Sequence, residues 1–168
     1  RAEDYIHRVQ NKPFIYPWLV DRVARKDSKY PFANKVYFSH ICCNHDLPAS
    51  RVIAVSGGRE IHFKTGLTEF PPTDLFMKIK NGRGGRGAEK WSYVEDRYRN
   101  SDGRSFDQRE LQDYVKQRSR LEKRIVQYCL VNHSSLSDIN LGALATARVM
   151  TCRSEAGAVE ATHAVFRM

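Results

Sequence analysis

Cysteine is scarce in this chain and badly placed for cross-linking. Of the four thiols, Cys42 and Cys43 are adjacent, Cys129 and Cys152 stand alone, and none forms a C-x-x-C pair. That spacing argues against a disulfide framework and a zinc knuckle. It predicts a reducing, cytoplasmic setting, with Cys129 and Cys152, both in apolar runs, as core thiols. The "CCNHD" cluster could offer Cys43 and His45 to a metal, but four well-spaced ligands are missing, so no metal site is assigned within the chain. No apolar run approaches the roughly 20 residues that a membrane-spanning helix needs. No signal peptide opens the chain. Carboxylates are in deficit: 19 Asp and Glu face 28 Lys and Arg, a formal charge of +9. An excess of that sign favours an anionic partner such as nucleic acid or a phosphate ligand.

What is present supports a folded domain. Hydrophobic residues make up 41% and charged residues 28%, enough apolar matter for a core and against global disorder. Short helices are expected over residues 1 to 27, interrupted by Pro13 and Pro17, and another over "ANKVYFSHICC", with Val36, Phe38 and Ile41 on one side. "SRVIAVSGGREIHF" reads as two strands about a Gly57-Gly58 turn. "LFMKI", "KWSYV", "RIVQYCLV", "TARVMTC" and "AVEATHAVF" read as further strands, and Asp102-Gly103 as a turn. Asp107 with Glu110 three residues on predicts a capped helix over "DQRELQDYVKQRSRLEK", burying Leu111 and Val115. The mixture predicts an α+β fold. Arg1 lies within a helix-like stretch and Met168 closes a strand-like one, which predicts a piece of a longer protein.

The most distinctive stretch is "KIKNGRGGRG", Lys78 to Gly87. Gly82, Gly84 and Gly87 match G-x-G-x-x-G literally, but a dinucleotide turn needs a wholly buried strand before it and a long helix after it. Here Lys78 interrupts the strand, and Trp91, Tyr93 and Val94 follow in strand-like chemistry. No Gly-Lys-Ser/Thr follows, so it is not a Walker A loop. Arginine-glycine RNA-binding text repeats many times, whereas this unit occurs once between two strands. A glycine segment over nucleotide phosphates uses every residue. Glycines admit backbone amides close to phosphate oxygens, and Lys78 supplies a point charge from the strand before them.

Three blocks, in order, carry a family resemblance. "KIKNGRGGRG" resembles the K-P-x-x-G-x-G-G-x-G of ATP-grasp proteins, with Ile79 where the family usually has proline. "ANKVYFSHICCNHDLP" is similar to its lysine-bearing segment ending in G-(I/L)-P. "QYCLVNHSSLSDI" and "TARVMT" resemble Q-x-x-(L/I)-x-N-H-x-x-L-x-x-(L/I) and T-x-R-V-x-T. The match covers about residues 34 to 168 and is nearest to the sugar-transfer-associated ATP-grasp proteins.

The resemblance implies a truncated ATP-grasp fold. Residues 1–50 would end an N-terminal lobe, 51–123 form a small lobe with the glycine flap, and 124–168 begin a C-terminal lobe with a second sheet. It implies ATP as ligand, with Lys35 and Lys78 at the phosphates and Gly82, Gly84, Gly85 and Gly87 in the flap. Arg83 and Arg86 would add charge there. Gln127, Tyr128 and Leu130 would form the adenine hinge, the last two through backbone groups, with His133 or Ser134 at the ribose. Arg148, with Thr146 beside it, is the candidate for the reacting phosphate or a substrate carboxylate, and Arg167 a weaker one. Magnesium is implied too, with acidic ligands expected beyond Met168, so that residues 1–168 alone would be catalytically silent. The implied activity is ATP-dependent ligation of a carboxylate to an amine or related nucleophile through an acylphosphate, in polysaccharide or glycoconjugate synthesis. The alternative is a basic RNA-binding module with no enzymatic activity, using the Arg-Gly segment.

Overall fold

The structure is a computed structural model. It describes residues 34–64, 66–82, 85–139 and 144–167, without the side chains of residues 137–139. The helices expected over residues 1 to 27 lie outside this set, as do Arg83 and Gly84. The architecture is mixed α+β. Helix α1 (Lys35–Asn44) is followed by β1 (Val52–Gly57), β2 (Glu60–Phe63), β3 (Leu75–Ile79), β4 (Glu89–Val94), β5 (Arg97–Asn100) and β6 (Ser105–Phe106). Helix α2 (Gln108–Arg118), β7 (Arg124–Tyr128), a 3-10 helix (Ser134–Ile139), β8 (Thr146–Arg153) and β9 (Val159–Arg167) complete the order.

Seven strands form one sheet in the order β2-β1-β7-β3-β4-β5-β6, and β8 and β9 form a separate hairpin. Every pairing is antiparallel. Most connections are local, as the turn residues dictate. Gly58 takes a positive φ between β1 and β2, and Glu95 and Asp96 turn β4 into β5 with both φ values positive. The exception is β7, which follows α2 and inserts between β1 and β3. The expectation of a second sheet from Arg124 onward is therefore corrected: Arg124–Tyr128 sits inside the first sheet, and the second begins at Thr146. The ladder also stops at Tyr128, short of the full "RIVQYCLV" run.

One face of the large sheet carries the core. Ile53, Ala54, Leu75, Met77, Trp91, Tyr98 and Val126 pack with Phe70, and with Leu111 and Val115 from α2. The alternation of β3 shows the rule: Leu75, Met77 and Ile79 are buried, while Phe76 and Lys78 point to the other side and are half-buried. Trp91 stacks on Phe106 at 5.3 Å and meets Tyr114 edge-on. The buried Tyr98 hydroxyl donates among the carbonyls of Phe70 and Pro71 and Gln108 Oε1, all within 3.2 Å, and burial raises its pKa.

Helix α2 starts as expected. Asp107 Oδ1 accepts from the Glu110 amide at 2.8 Å, and Glu110 Oε2 accepts from the Asp107 amide at 2.8 Å, closing a capping box. In α1 the buried side chain is Cys42, while Phe38 is exposed. The core-thiol expectation is likewise corrected: Cys129 is half-buried and Cys152 exposed.

Core and cap should separate cleanly in denaturant titrations. Leu111→Ala should cost about 2–5 kcal/mol, the range for a buried leucine cut to alanine. Asp107→Ala should cost about 1 kcal/mol, the usual loss of an N-cap. Equal losses would mean that α2 is held by its end and not by its face.

Candidate functional site

The side of the sheet opposite the core carries a cavity of about 350 Å³. Its lining includes Phe76 and Lys78 of β3, Lys90 of β4, Gln127 and Tyr128 of β7, and the segment Cys129–Asn132. Register explains the grouping. Phe76 pairs with both Lys90 and Gln127, so three neighbouring strands deliver one row of side chains to one face. Gln127 is buried and fixed, its Nε2 donating to the Ser50 carbonyl at 2.7 Å. Ser50 Oγ donates to the Tyr128 carbonyl at 3.0 Å, and the Cys129 amide to the Asp74 carbonyl at 3.0 Å. The chain leaves the sheet over this cavity with its backbone held at defined points.

Lys35 and Lys78 meet at the neighbouring end. Asn34 caps α1, its Oδ1 accepting from the Val36 and Tyr37 amides. The cap makes Lys35 the first helical residue, and its Nζ donates to the carbonyls of Gly82 at 2.6 Å and Lys80 at 3.2 Å. Lys35 thus touches the glycine segment itself. Lys78, two residues past Phe76, holds its Nζ 5.9 Å from that ring's centre. Burial pulls the Lys78 pKa below the ordinary lysine value, and the charge of Lys35 lowers it further. Burial lowers Lys35 as well. Two partly buried ammonium groups that feel each other's charge form a site that favours an anion.

The glycine segment consists of two turns over Ile79. The Gly82 amide donates to the Ile79 carbonyl at 3.3 Å, and the Ala88 amide to the Gly85 carbonyl at 3.0 Å. A Cβ on Gly82 would lie 2.9 Å from Ile79 Cβ, so no side chain fits there. Gly87 has φ +63°, and a Cβ would meet Ile79 Cδ1 at 3.2 Å and Arg124 Nη2 at 3.3 Å. Ile79, the departure from the family pattern, is the post around which these turns wrap.

The other expected site residues are distributed as follows. Leu130 lines the cavity with Gln127 and Tyr128, Gly85 lies in the second turn, and Gly84 is outside the described residues. His133 is exposed outside the cavity lining; its Nδ1 lies 2.8 Å from Ser135 Oγ, and its carbonyl accepts from the Leu136 amide. Arg148 is exposed on β8, opposite Val165, and is not brought to the cavity. The desolvation that singled it out in the sequence is absent at this position. Arg167 lies exposed on β9 of the same hairpin. Phe76, Lys90 and Asn132 join the site without having been foreseen. The period-2 relation of Phe76 to Lys78 was a usable signal; Lys90 needed the cross-strand register.

Removing the Lys78 charge should stabilise the fold. Its folded pKa lies below its unfolded one, so over that window the unfolded chain binds more protons and wild-type stability rises with pH. Lys78→Met should therefore raise the unfolding free energy at neutral pH, and only modestly, because solvent screens this half-exposed ammonium. Its advantage should shrink as pH climbs through the lowered lysine pKa. A variant less stable than wild type at every pH would mean that the ammonium is stabilised in place.

No family model, characterised protein or solved structure matches the chain in comparison. The functional reading therefore rests on the lysine pair, the glycine turns and the cavity beside them.

Proposed function

We propose that this chain is the ATP-binding portion of an ATP-dependent ligase of ATP-grasp type, joining a carboxylate to an amine or related nucleophile. One observation carries the reading. Lys35 and Lys78, 43 positions apart, share one electrostatic site between a glycine segment and an apolar-lined cavity. Bases need a flat apolar slot with a few fixed polar groups, and triphosphates need concentrated positive charge with accessible backbone amides. In this reading the base lies among Phe76, Tyr128 and Leu130, and the phosphates lie toward Lys78 and Lys35.

The chemistry proposed is a phosphoryl transfer. A carboxylate oxygen attacks the γ-phosphorus, the β–γ bridge breaks, and acylphosphate and ADP form. The nucleophile then displaces phosphate from the acyl carbon. The lysines stabilise charge on the phosphate oxygens. Magnesium, when bound, would supply charge neutralisation on the transferring phosphates. Among the described residues no group of three His, Cys, Asp or Glu side chains could hold a metal ion. The proposal therefore leaves magnesium to ligands outside the described site. The class of reaction is compatible with glycoconjugate or polysaccharide substrates, and Arg148 stays a candidate for the acceptor carboxylate within it.

The RNA-binding alternative finds less support. Four of the described arginines pair with carboxylates: Arg86 with Glu122, Arg97 with Glu110, Arg99 with Glu95 and Arg118 with Glu89. The large aromatics Trp91, Tyr98 and Phe70 are buried, whereas single-strand binding needs them as an open stacking platform.

Two measurements test the nucleotide reading. Lys78→Ala should weaken ATP binding by at least an order of magnitude, since a charged hydrogen bond is worth about 1.5–3 kcal/mol. ATP should also shield Cys129, which lines the cavity, from iodoacetamide. Burial raises that thiol's pKa, Lys90 opposes the shift and Asp74 adds to it, so the labelling is best followed at alkaline pH. The exposed Cys43 provides an unprotected reference in the same peptide digest. Equal labelling of Cys129 with and without saturating ATP would refute the placement of the base.

A further inference from the structure

The glycine segment is tied at its far end by a charge that the nucleotide reading does not use. Arg124, the first residue of β7, is only 4% exposed and stands opposite Ile79 of β3 and Ser56 of β1. Its Nη1 donates to the Gly87 carbonyl at 2.8 Å, and its Nε to the Arg118 carbonyl near the end of α2 at 3.1 Å. Nη1 also lies 3.7 Å from Glu89 Oε1. Glu89 in turn accepts from the Tyr114 hydroxyl at 2.9 Å and from Arg118 at 3.1 Å. A guanidinium is costly to bury unless its donors are met, and a planar fork can meet two carbonyls at a fixed separation as an ammonium cannot. The arrangement joins the central strand, the end of the core helix α2 and the second glycine turn. Gly87 itself fits only without a side chain, against Nη2 of the same arginine.

We propose that Arg124 is a positioning residue for phosphate binding. It holds the Gly87 carbonyl, fixes the Gly85–Ala88 turn to the core of the sheet, and so sets the backbone that the triphosphate meets. Glu89 serves by balancing the guanidinium charge and orienting it. This rests on the nucleotide reading above for its ligand, but the anchoring can be measured without any ligand.

The experiment compares wild type with Arg124→Lys, which keeps the charge and loses the fork, and with Gly87→Ala, which disturbs the same contact while leaving Arg124 in place. Amide hydrogen exchange is read over residues 85–89 in nucleotide-free protein, and affinities are measured for ATP and for adenosine. Both variants should exchange faster over that turn. Both should bind ATP about tenfold more weakly, the loss of one charge-assisted contact, with adenosine affinity unchanged. A merely structural role for Arg124 would lower the two affinities together, and that result would overturn the proposal. So would unchanged exchange at residues 85–89. If wild type binds neither ligand, the nucleotide reading falls, and faster exchange in the variants still upholds the anchor.

Discussion

The pairing of β7 with both β1 and β3 is the constraint on which the rest depends. β7 arrives long after its neighbours in sequence and closes the gap between them, with Ile125 and Val126 fully buried. Without it, β1 and β2 would form an isolated hairpin and β3 to β6 a separate meander, each too small to bury a core alone. Every non-local loop-closure cost in the sheet is met at this one strand. The same strand contributes to the site. Arg124 holds the glycine turn at one end, Gln127 and Tyr128 line the cavity at the other, and the chain then crosses the cavity mouth.

Electrostatics and packing oppose one another across this sheet. The core face is satisfied by ordinary apolar burial. The other face half-buries Lys78 within reach of the Lys35 charge, at a cost that both lowered pKa values express. Folding alone gives no reason for that arrangement, since a methionine at position 78 would serve the strand better. Lys35 relieves part of the cost by donating to the Gly82 and Lys80 carbonyls. An arriving phosphate would have to compete for those donors, and it brings two negative oxygens where the segment offers neutral carbonyls.

Local chemistry was legible in the sequence, and long-range register was not. The capping box at Asp107, the Gly57-Gly58 turn, the strand over Leu75–Ile79 and the β8–β9 hairpin follow from neighbouring residues and appear where expected. The grouping of Lys35 with Lys78 was inferred from motif resemblance, and the structure brings the two together. Lys90 escaped notice because its place beside Phe76 is set by strand pairing, which no local pattern states. Arg124 escaped for a related reason: an arginine opening a strand reads as a solvated end, and only insertion between two neighbours buries it. His133 and Arg148 were chosen for their motif positions, yet one is engaged with its own turn and the other lies on the separate hairpin.

The glycine segment shows how a poorly self-stabilising loop acquires a defined shape. Glycine carries the largest entropy cost of ordering, and four glycines among six residues leave few side chains with which to pack. Here the turns are shaped from outside. Ile79 fills the space beneath them, Lys35 holds the carbonyl at Gly82, and Arg124 holds the carbonyl at Gly87. Both cations take carbonyl oxygens, while the Gly82 and Ala88 amides are engaged inside the two turns. A proline in place of Ile79 would remove the branched side chain that fills the space where a Cβ on Gly82 or Gly87 would lie. The isoleucine is therefore better understood as part of the segment's support than as a tolerated exception.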